Sequence, residues 1–209
     1  MCVYPGGVSE ATARPYHHGN LRSALLAQAE KVIGEQGVDA LSLRELARAV
    51  GVSHGAPRRH FPDKQALLEA LAVEGFGRLA EELEAALEAA AGAPFADRVG
   101  AIATVYVRFA TRSPALVDVM FAAKHRAPGD ALQEAAGRAF ATMQGLIVEG
   151  QSTGELDPGD PQGFATALFA VLQGLVSLSN GGMLPAGEID ATVADATARL
   201  LRGSRPAAQ

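Results

Sequence analysis

The chain has 209 residues, 48% hydrophobic, 20% charged and only 5% aromatic, and 18 Lys+Arg against 23 Asp+Glu leave a formal net charge of −5. That apolar share excludes wholesale disorder, and the acid excess excludes a uniformly basic nucleic-acid coat while leaving room for a local basic patch. A single cysteine, Cys2, excludes an internal disulfide framework and a cysteine-based zinc site.

The opening, MCVYPGGVSEATARP, lacks the positive start and apolar core of a secretory leader, so a cytoplasmic setting is expected. Pro5, Gly6, Gly7 and Pro15 mark residues 1–15 as a flexible arm. Beyond it the apolar period is helical nearly everywhere, which predicts an all-α fold of about nine helices. Asn20 can cap a first helix running to Glu35, with Leu21, Leu25, Ala29 and Val32 on one face and Gly37 as its stop. Ser42 opens a second helix, and Glu45 three residues later predicts a capping box. Leu43, Leu46, Ala47 and Val50 supply its apolar stripe, and Gly51 ends it after about two turns. Ser53 can cap a third short helix reaching His60 or Phe61. Pro57 is awkward there, because it lacks the N–H that would make the first intrahelical bond, so that helix begins late or tight.

Pro62 and Asp63 break the chain before a long fourth helix, 64–91, which turns Leu79, Leu83, Ala86, Leu87 and Ala90 one way and Glu81, Glu84 and Glu88 the other. Further helices are predicted at 95–111, 115–124, 130–149, 161–179 and 189–202. Pro161 to Gly187 is an uncharged run, but Gln162, Thr166, Gln173, Ser177, Ser179 and Asn180 make it too polar for a membrane span. A helix buried within protein is expected instead. The last helix carries Glu188 and Asp190 at its start and Arg199 and Arg202 at its end, as its dipole favours.

Charge is divided unevenly. Residues 1–64 hold eight basic and six acidic side chains, a balance of +2, and residues 65–209 hold ten against seventeen, or −7. A mildly basic head on an acidic body is consistent with a nucleic-acid footprint or with an ordinary mixed surface. The segment SLRELARAVGVSHGAPRRHFPDK, Ser42 to Lys64, is more specific: two short helices joined by a glycine-centred turn, the layout of a helix-turn-helix. Its second element has almost no large apolar residue before Phe61. Small residues permit close approach to a duplex groove, and cations can meet phosphates or guanine edges.

Residues 16–71, from YHHGNLRSALL through GVDALSLRELARAVGVSHGAPRRHFPDKQALLEAL, resemble the N-terminal DNA-binding domain of TetR/AcrR-type transcriptional regulators. The YHHGNL opening resembles a branch whose C-terminal domain carries a WHG-type helix, and Tyr106–Phe121 and Phe169–Leu178 resemble that domain. The chain departs from it in having no Trp and in placing Gln173 where His is usual. The resemblance implies a DNA-binding domain over 16–64 and a helical effector-binding and dimerisation domain over 65–209. It maps Ser53, His54, Gly55, Pro57, Arg59 and His60 onto the recognition helix, Arg44 onto helix 2, and Lys64 onto the phosphate-contacting start of helix 4. Arg58 stands where the family has Tyr, and it can touch the backbone or read guanine. His60 can donate to phosphate or pack beside Phe61, and His17 and His18 can approach the backbone or stay in the arm.

The implied partners are double-stranded operator DNA, a second copy of the chain and a small, largely apolar effector; no membrane, metal, cofactor or catalytic residue is implied. The helices at 161–179 and 189–202 are the expected dimer seam, because Gly163, Ala165, Ala167, Ala170 and Gly174 let helices approach closely, though an intrachain core helix would have the same composition. Tyr106, Phe109, Met120, Phe121, His125, Phe140, Met143 and Gln173 are the candidate effector contacts, Gln173 bonding a ligand, another helix or its dimer mate. Two other readings are a helical enzyme and an effector-free DNA-architectural protein. Against the first, the sequence has no paired Cys/His set, no HExxH and no phosphate-binding glycine loop. Against the second stands a body far larger than architectural binding needs.

Overall fold

The computed structural model describes residues 18–124 and 129–204; the predicted arm, His17 and His125 lie outside the described residues. Those described form eight α-helices: α1 (His18–Gln36), α2 (Leu43–Ala49), α3 (Lys64–Ala89), α4 (Phe95–Arg112), α5 (Pro114–Lys124), α6 (Asp130–Ser152), α7 (Pro161–Asn180) and α8 (Ile189–Gly203). Short 3-10 turns occupy Val38–Ala40, Pro57–Arg59 and Ala186–Glu188. No strand occurs among the described residues. The third predicted helix, at 53–60, is replaced by the 3-10 turn Pro57–Arg59 and its flanking turns.

The head is built from α1, α2, the 53–61 segment and the first turns of α3. Leu25, Leu26, Ala29 and Ile33 of α1 are sealed against Leu46 of α2, Phe61 and Leu67. Burying a Leu or Phe side chain contributes about 1.5–3 kcal/mol, so this small cluster carries much of the head's stability. α1 starts at His18, which places Asn20 inside the helix and not at its cap. Ser42 does stand at the N-cap of α2, but its hydroxyl makes no capping bond, and Glu45 turns to Arg48 at 2.5 Å. The expected capping box is therefore absent: the neighbouring guanidinium holds the carboxylate outward.

Asp63 caps α3, its carboxylate accepting from the Ala66 N–H at 2.8 Å. α3 is common to both parts of the molecule. Its N-terminal turns complete the head, and farther along it packs against α4, α5 and α6 of the body. At Gly75 α3 and α5 pack closely: a Cβ there would lie 2.7 Å from Met120 Sδ. α5 also touches α1, and Arg78 of α3 bonds Glu30 of α1 at 2.9 Å, so head and body are joined by packing and by an ion pair.

α4 lies against α7 and α8, and ion pairs tie the body's surface: Arg98 with Glu149, Arg108 with Asp190, and Arg112 with Glu82 at 2.7 Å. α7 begins at Asp160, whose carboxylate accepts from Gln162 and Gly163 N–H at 3.0 Å, with Pro161 in the first turn where its missing N–H costs nothing. α7 corrects one expectation. By length and composition it could cross a membrane, yet only 22% of its apolar window is buried. Leu168, Leu172, Leu175 and Val176 face the body, while Gly163, Ala167, Ala170, Gly174 and Leu178 are exposed. It is a one-sided helix with an uncovered small-residue face, not an enclosed core helix.

Candidate nucleic-acid interface and body cavity

α2 ends in a C-cap that sets the direction of the next segment. Gly51 has φ 74°, its N–H bonds the Arg48 carbonyl at 3.2 Å, and the Val52 N–H reaches back to the Ala47 carbonyl at 2.9 Å. This is the Schellman arrangement, and the left-handed residue has to be glycine because a Cβ there costs ~1–2 kcal/mol. The chain then climbs through a series of tight turns. Ala56 N–H bonds the Ser53 carbonyl at 2.9 Å, Arg59 N–H the Ala56 carbonyl at 3.2 Å, and His60 and Phe61 N–H both reach Pro57 at 2.9 and 2.8 Å. Proline at 57 deletes the donor that would have bonded Ser53 in an α-helix, and the three-residue turns take over that carbonyl.

The result is a short raised segment. Ser53, His54, Gly55, Arg58 and Arg59 are exposed; His60 is half-buried, its ring 6.4 Å from that of Phe61. Pro57 is buried, so it shapes the segment from below and drops out of the expected contact set. Phe61 is 2% exposed and anchors the segment's end to the head. Among the described residues Arg58 and Arg59 make no ion pair, whereas Arg48 is engaged by Glu45. Arg44 is exposed on α2. Lys64 is half-buried, with Nζ 3.5 Å from the Asp39 carbonyl oxygen. Arg22 is a further cation of this end that the sequence reading passed over: it is exposed on α1, and its guanidinium carbon lies 5.6 Å from the Phe61 ring centroid. Exposed arginines, with no carboxylate among the described residues paired to Arg58 or Arg59, give the head cations suited to phosphate.

The body contains a cavity of about 600 Å³, within the range of small-molecule sites. α3 and α4 supply Leu79, Leu83, Ile102 and Tyr106; α5 supplies Phe121 and Lys124; the remaining wall comes from α6 and α7. Of the expected effector contacts, Tyr106, Phe121, Phe140 and Met143 line it. Phe109 and Met120 do not: they are 2% and 0% exposed and are ordinary core, Met120 filling the gap over Gly75. Helical periodicity identifies an inward face but not which inward residues border a void. Gln173 also lies outside this cavity, lining a shallower groove beside Val117, Phe121, Phe169 and Asn180. Its amide oxygen accepts from the Tyr106 hydroxyl at 2.8 Å, so its partner is another helix of the same chain. Burial pushes the Tyr106 phenol well above its ordinary pKa, which leaves it a neutral donor at any physiological pH.

Sequence reasoning missed Phe169, whose ring lies 5.6–6.2 Å from those of Tyr106, Phe121 and Phe140, and it missed Lys124. The signal for Lys124 was its place three residues after Phe121, on the same helix face at the helix end. No three His, Cys, Asp or Glu side chains come together in a metal-holding group among the described residues.

Comparison with known proteins bears on both ends of the molecule. Residues 25–71 match the family model described as bacterial regulatory proteins of the tetR family, and residues 99–203 match that of the tetracyclin repressor-like C-terminal domain. Over 70 residues the chain is 40% identical to the HTH-type transcriptional regulator BetI of Rhizobium meliloti, a stretch covering 34% of each protein. Over 64 residues it is 41% identical to the HTH-type transcriptional repressor Rv1474c of Mycobacterium tuberculosis, covering 31% of this chain and 34% of that one. The matches thus span about a third of the length of these curated relatives. A solved structure of a protein of unknown function from Rhodococcus sp. RHA1 is similar throughout, at 41% identity and TM-score 0.84, covering 93% of this chain and all of that one.

Proposed function

The chain belongs to the TetR family of transcriptional regulators, which are DNA-binding proteins and not enzymes, and on that footing we propose that it is a cytoplasmic, ligand-responsive repressor. Two copies grip a palindromic operator, and a small, largely apolar effector releases them. The observation that carries this reading is α3. One continuous helix begins under the recognition segment, with Lys64 and the Asp63 cap, and farther along contributes Leu79 and Leu83 to the cavity wall. Arg78, one residue before Leu79, holds Glu30 of α1. A ligand that shifts α3 therefore moves the head directly. It needs only to bind more tightly to the arrangement that fits DNA poorly.

In this reading Arg44, Ser53, His54, Gly55, Arg58, Arg59, His60 and Lys64 meet the duplex, and Pro57 fixes the backbone that presents them. The uncovered stripe of α7, where Gly163, Ala167, Ala170 and Gly174 recur at helical spacing beside the exposed Leu178, supports two-fold pairing. α8 packs beside α7 and extends the same surface. An apolar helix left one-sided in a single chain calls for a cover, and a second copy provides it with close backbone approach.

The test is a gel-shift titration with the DNA flanking the protein's own gene, repeated across salt concentration. The proposal expects saturable, sequence-selective binding that weakens steeply with salt. Binding to that DNA no stronger than to random duplex would overturn it.

A further inference from the structure

We infer that the effector is an amphipathic carboxylate, its apolar body inside the cavity and its anionic head at the α5–α6 mouth against Lys124. The inference rests on the effector-sensing reading above and narrows it to a ligand class.

Among the described residues Lys124 is the only charged side chain in the cavity lining, and none of those lining it is a carboxylate. It is the last residue of α5, and its ammonium nitrogen lies 4.0 Å from the centroid of the Phe140 ring. That ring is held in place by Phe76 and Phe169 at 6.1 and 6.2 Å. Phe140 attracts the cation through its π face but cannot neutralise it. Among the described residues Lys124 has no acidic partner, and partial burial lowers its pKa. A ligand anion would supply the missing countercharge and a charge-assisted hydrogen bond.

The inner end has the opposite character. Leu79, Leu83, Ile102, Leu168 and Leu172 form the wall there. The one polar group at that depth, the Tyr106 hydroxyl, has its proton committed to Gln173. A ligand with a buried polar end would leave that end without a donor, at a cost of roughly 1–3 kcal/mol. The other polar lining groups, Gln133 and Gln144 of α6 and Gln162 and Thr166 of α7, are exposed, and the Gln144 amide donates to the Gln162 amide oxygen at 3.3 Å. The cavity thus has a buried apolar end, and its positive charge, on the exposed Lys124, stands at the solvent side.

The test uses the full chain and calorimetric titration with three ligands of one tail length: laurate and dodecyltrimethylammonium, each below its micelle concentration, and 1-dodecanol below its solubility limit. N-phenyl-1-naphthylamine, a neutral fluorescent probe, reports independently whether the cavity admits apolar molecules; the chain's lack of Trp leaves its signal clear. The inference expects the dye to bind, laurate to displace it and bind roughly tenfold or more tighter than the alcohol, and the cation to bind weakest. Lys124→Gln should erase the preference of laurate over alcohol while still binding the dye, and Lys124→Arg should keep it. If the dye binds but the alcohol matches laurate, or Lys124→Gln leaves the ratio unchanged, the carboxylate assignment is wrong and the sensing role stands. If neither the dye nor any of the three ligands binds, both fall together.

Discussion

Replacing Arg58 with alanine tests the DNA-facing surface where this chain departs most from the family pattern it resembles. Arg58 is exposed, lies in the 3-10 turn Pro57–Arg59 and makes no ion pair among the described residues, so its removal leaves no buried group stranded. The melting temperature should not move measurably. The effect on DNA should be large, because a dimer loses the side chain twice. If each copy contacts a phosphate, the slope of log K against log salt should shrink by about 0.9 per contact, or ~1.8 for the pair, with similar weakening on every sequence. If each copy instead reads a guanine, the loss is ~1–3 kcal/mol per half-site, at least roughly thirtyfold for the dimer, with relaxed preference at one symmetric pair of positions. Fluorescence anisotropy with labelled duplexes at several salt concentrations separates the two. An Arg58→Ala protein with unchanged affinity, slope and sequence preference would show that this guanidinium does not meet DNA, and the orientation assigned to the head would be wrong.

Three further outcomes follow from the packing. Gly150→Ala places a Cβ 2.4 Å from the Phe95 ring and 3.1 Å from Leu156, so α6 and α4 must part; the expected loss of ~1–3 kcal/mol should appear as a lower midpoint in chemical denaturation, and an unchanged midpoint would refute the tight contact. Tyr106→Phe removes the donor to Gln173 and should cost about 1 kcal/mol, with Gln173→Leu on the same background restoring part of it in a double-mutant cycle; no coupling between the two sites would deny the bond. Ala170→Glu puts like charges on the exposed stripe of α7 and should give a monomer by light scattering that retains its helical content, whereas a wild-type protein already monomeric would dismiss the seam itself.

Much of the helical layout was legible because the signals were local. Gly51 and Gly37 stop α2 and α1 where the sequence placed their ends, and both have positive φ. Pro161 after Asp160 starts α7 where expected. Where the outcome depended on three-dimensional neighbours, local signals misled. Ser42 and Glu45 carry the spacing of a capping box, but Arg48 claims the carboxylate. Pro57 announced a disturbed helix, but whether it would delay the start or tighten the whole segment depended on which donors could reach the Ser53 carbonyl. In the body, Met120 and Phe121 are adjacent in sequence, yet Met120 fills the notch over Gly75 and Phe121 borders the void. Composition alone leaves α7 open to a dimer seam or an enclosed core helix, because it reports what a helix can bury and not whether its own chain supplies the cover.

The central claim is that two copies of the 53–59 segment enter the same face of a duplex at a spacing set by the body. Hydroxyl-radical footprinting of the wild-type protein on DNA flanking its own gene measures that most directly. The account predicts two symmetry-related protected half-sites with centres one helical turn apart, about 10–10.5 base pairs, or a whole multiple of it, fading together when effector is added. A single asymmetric patch, or protection spread evenly along the fragment, would contradict it.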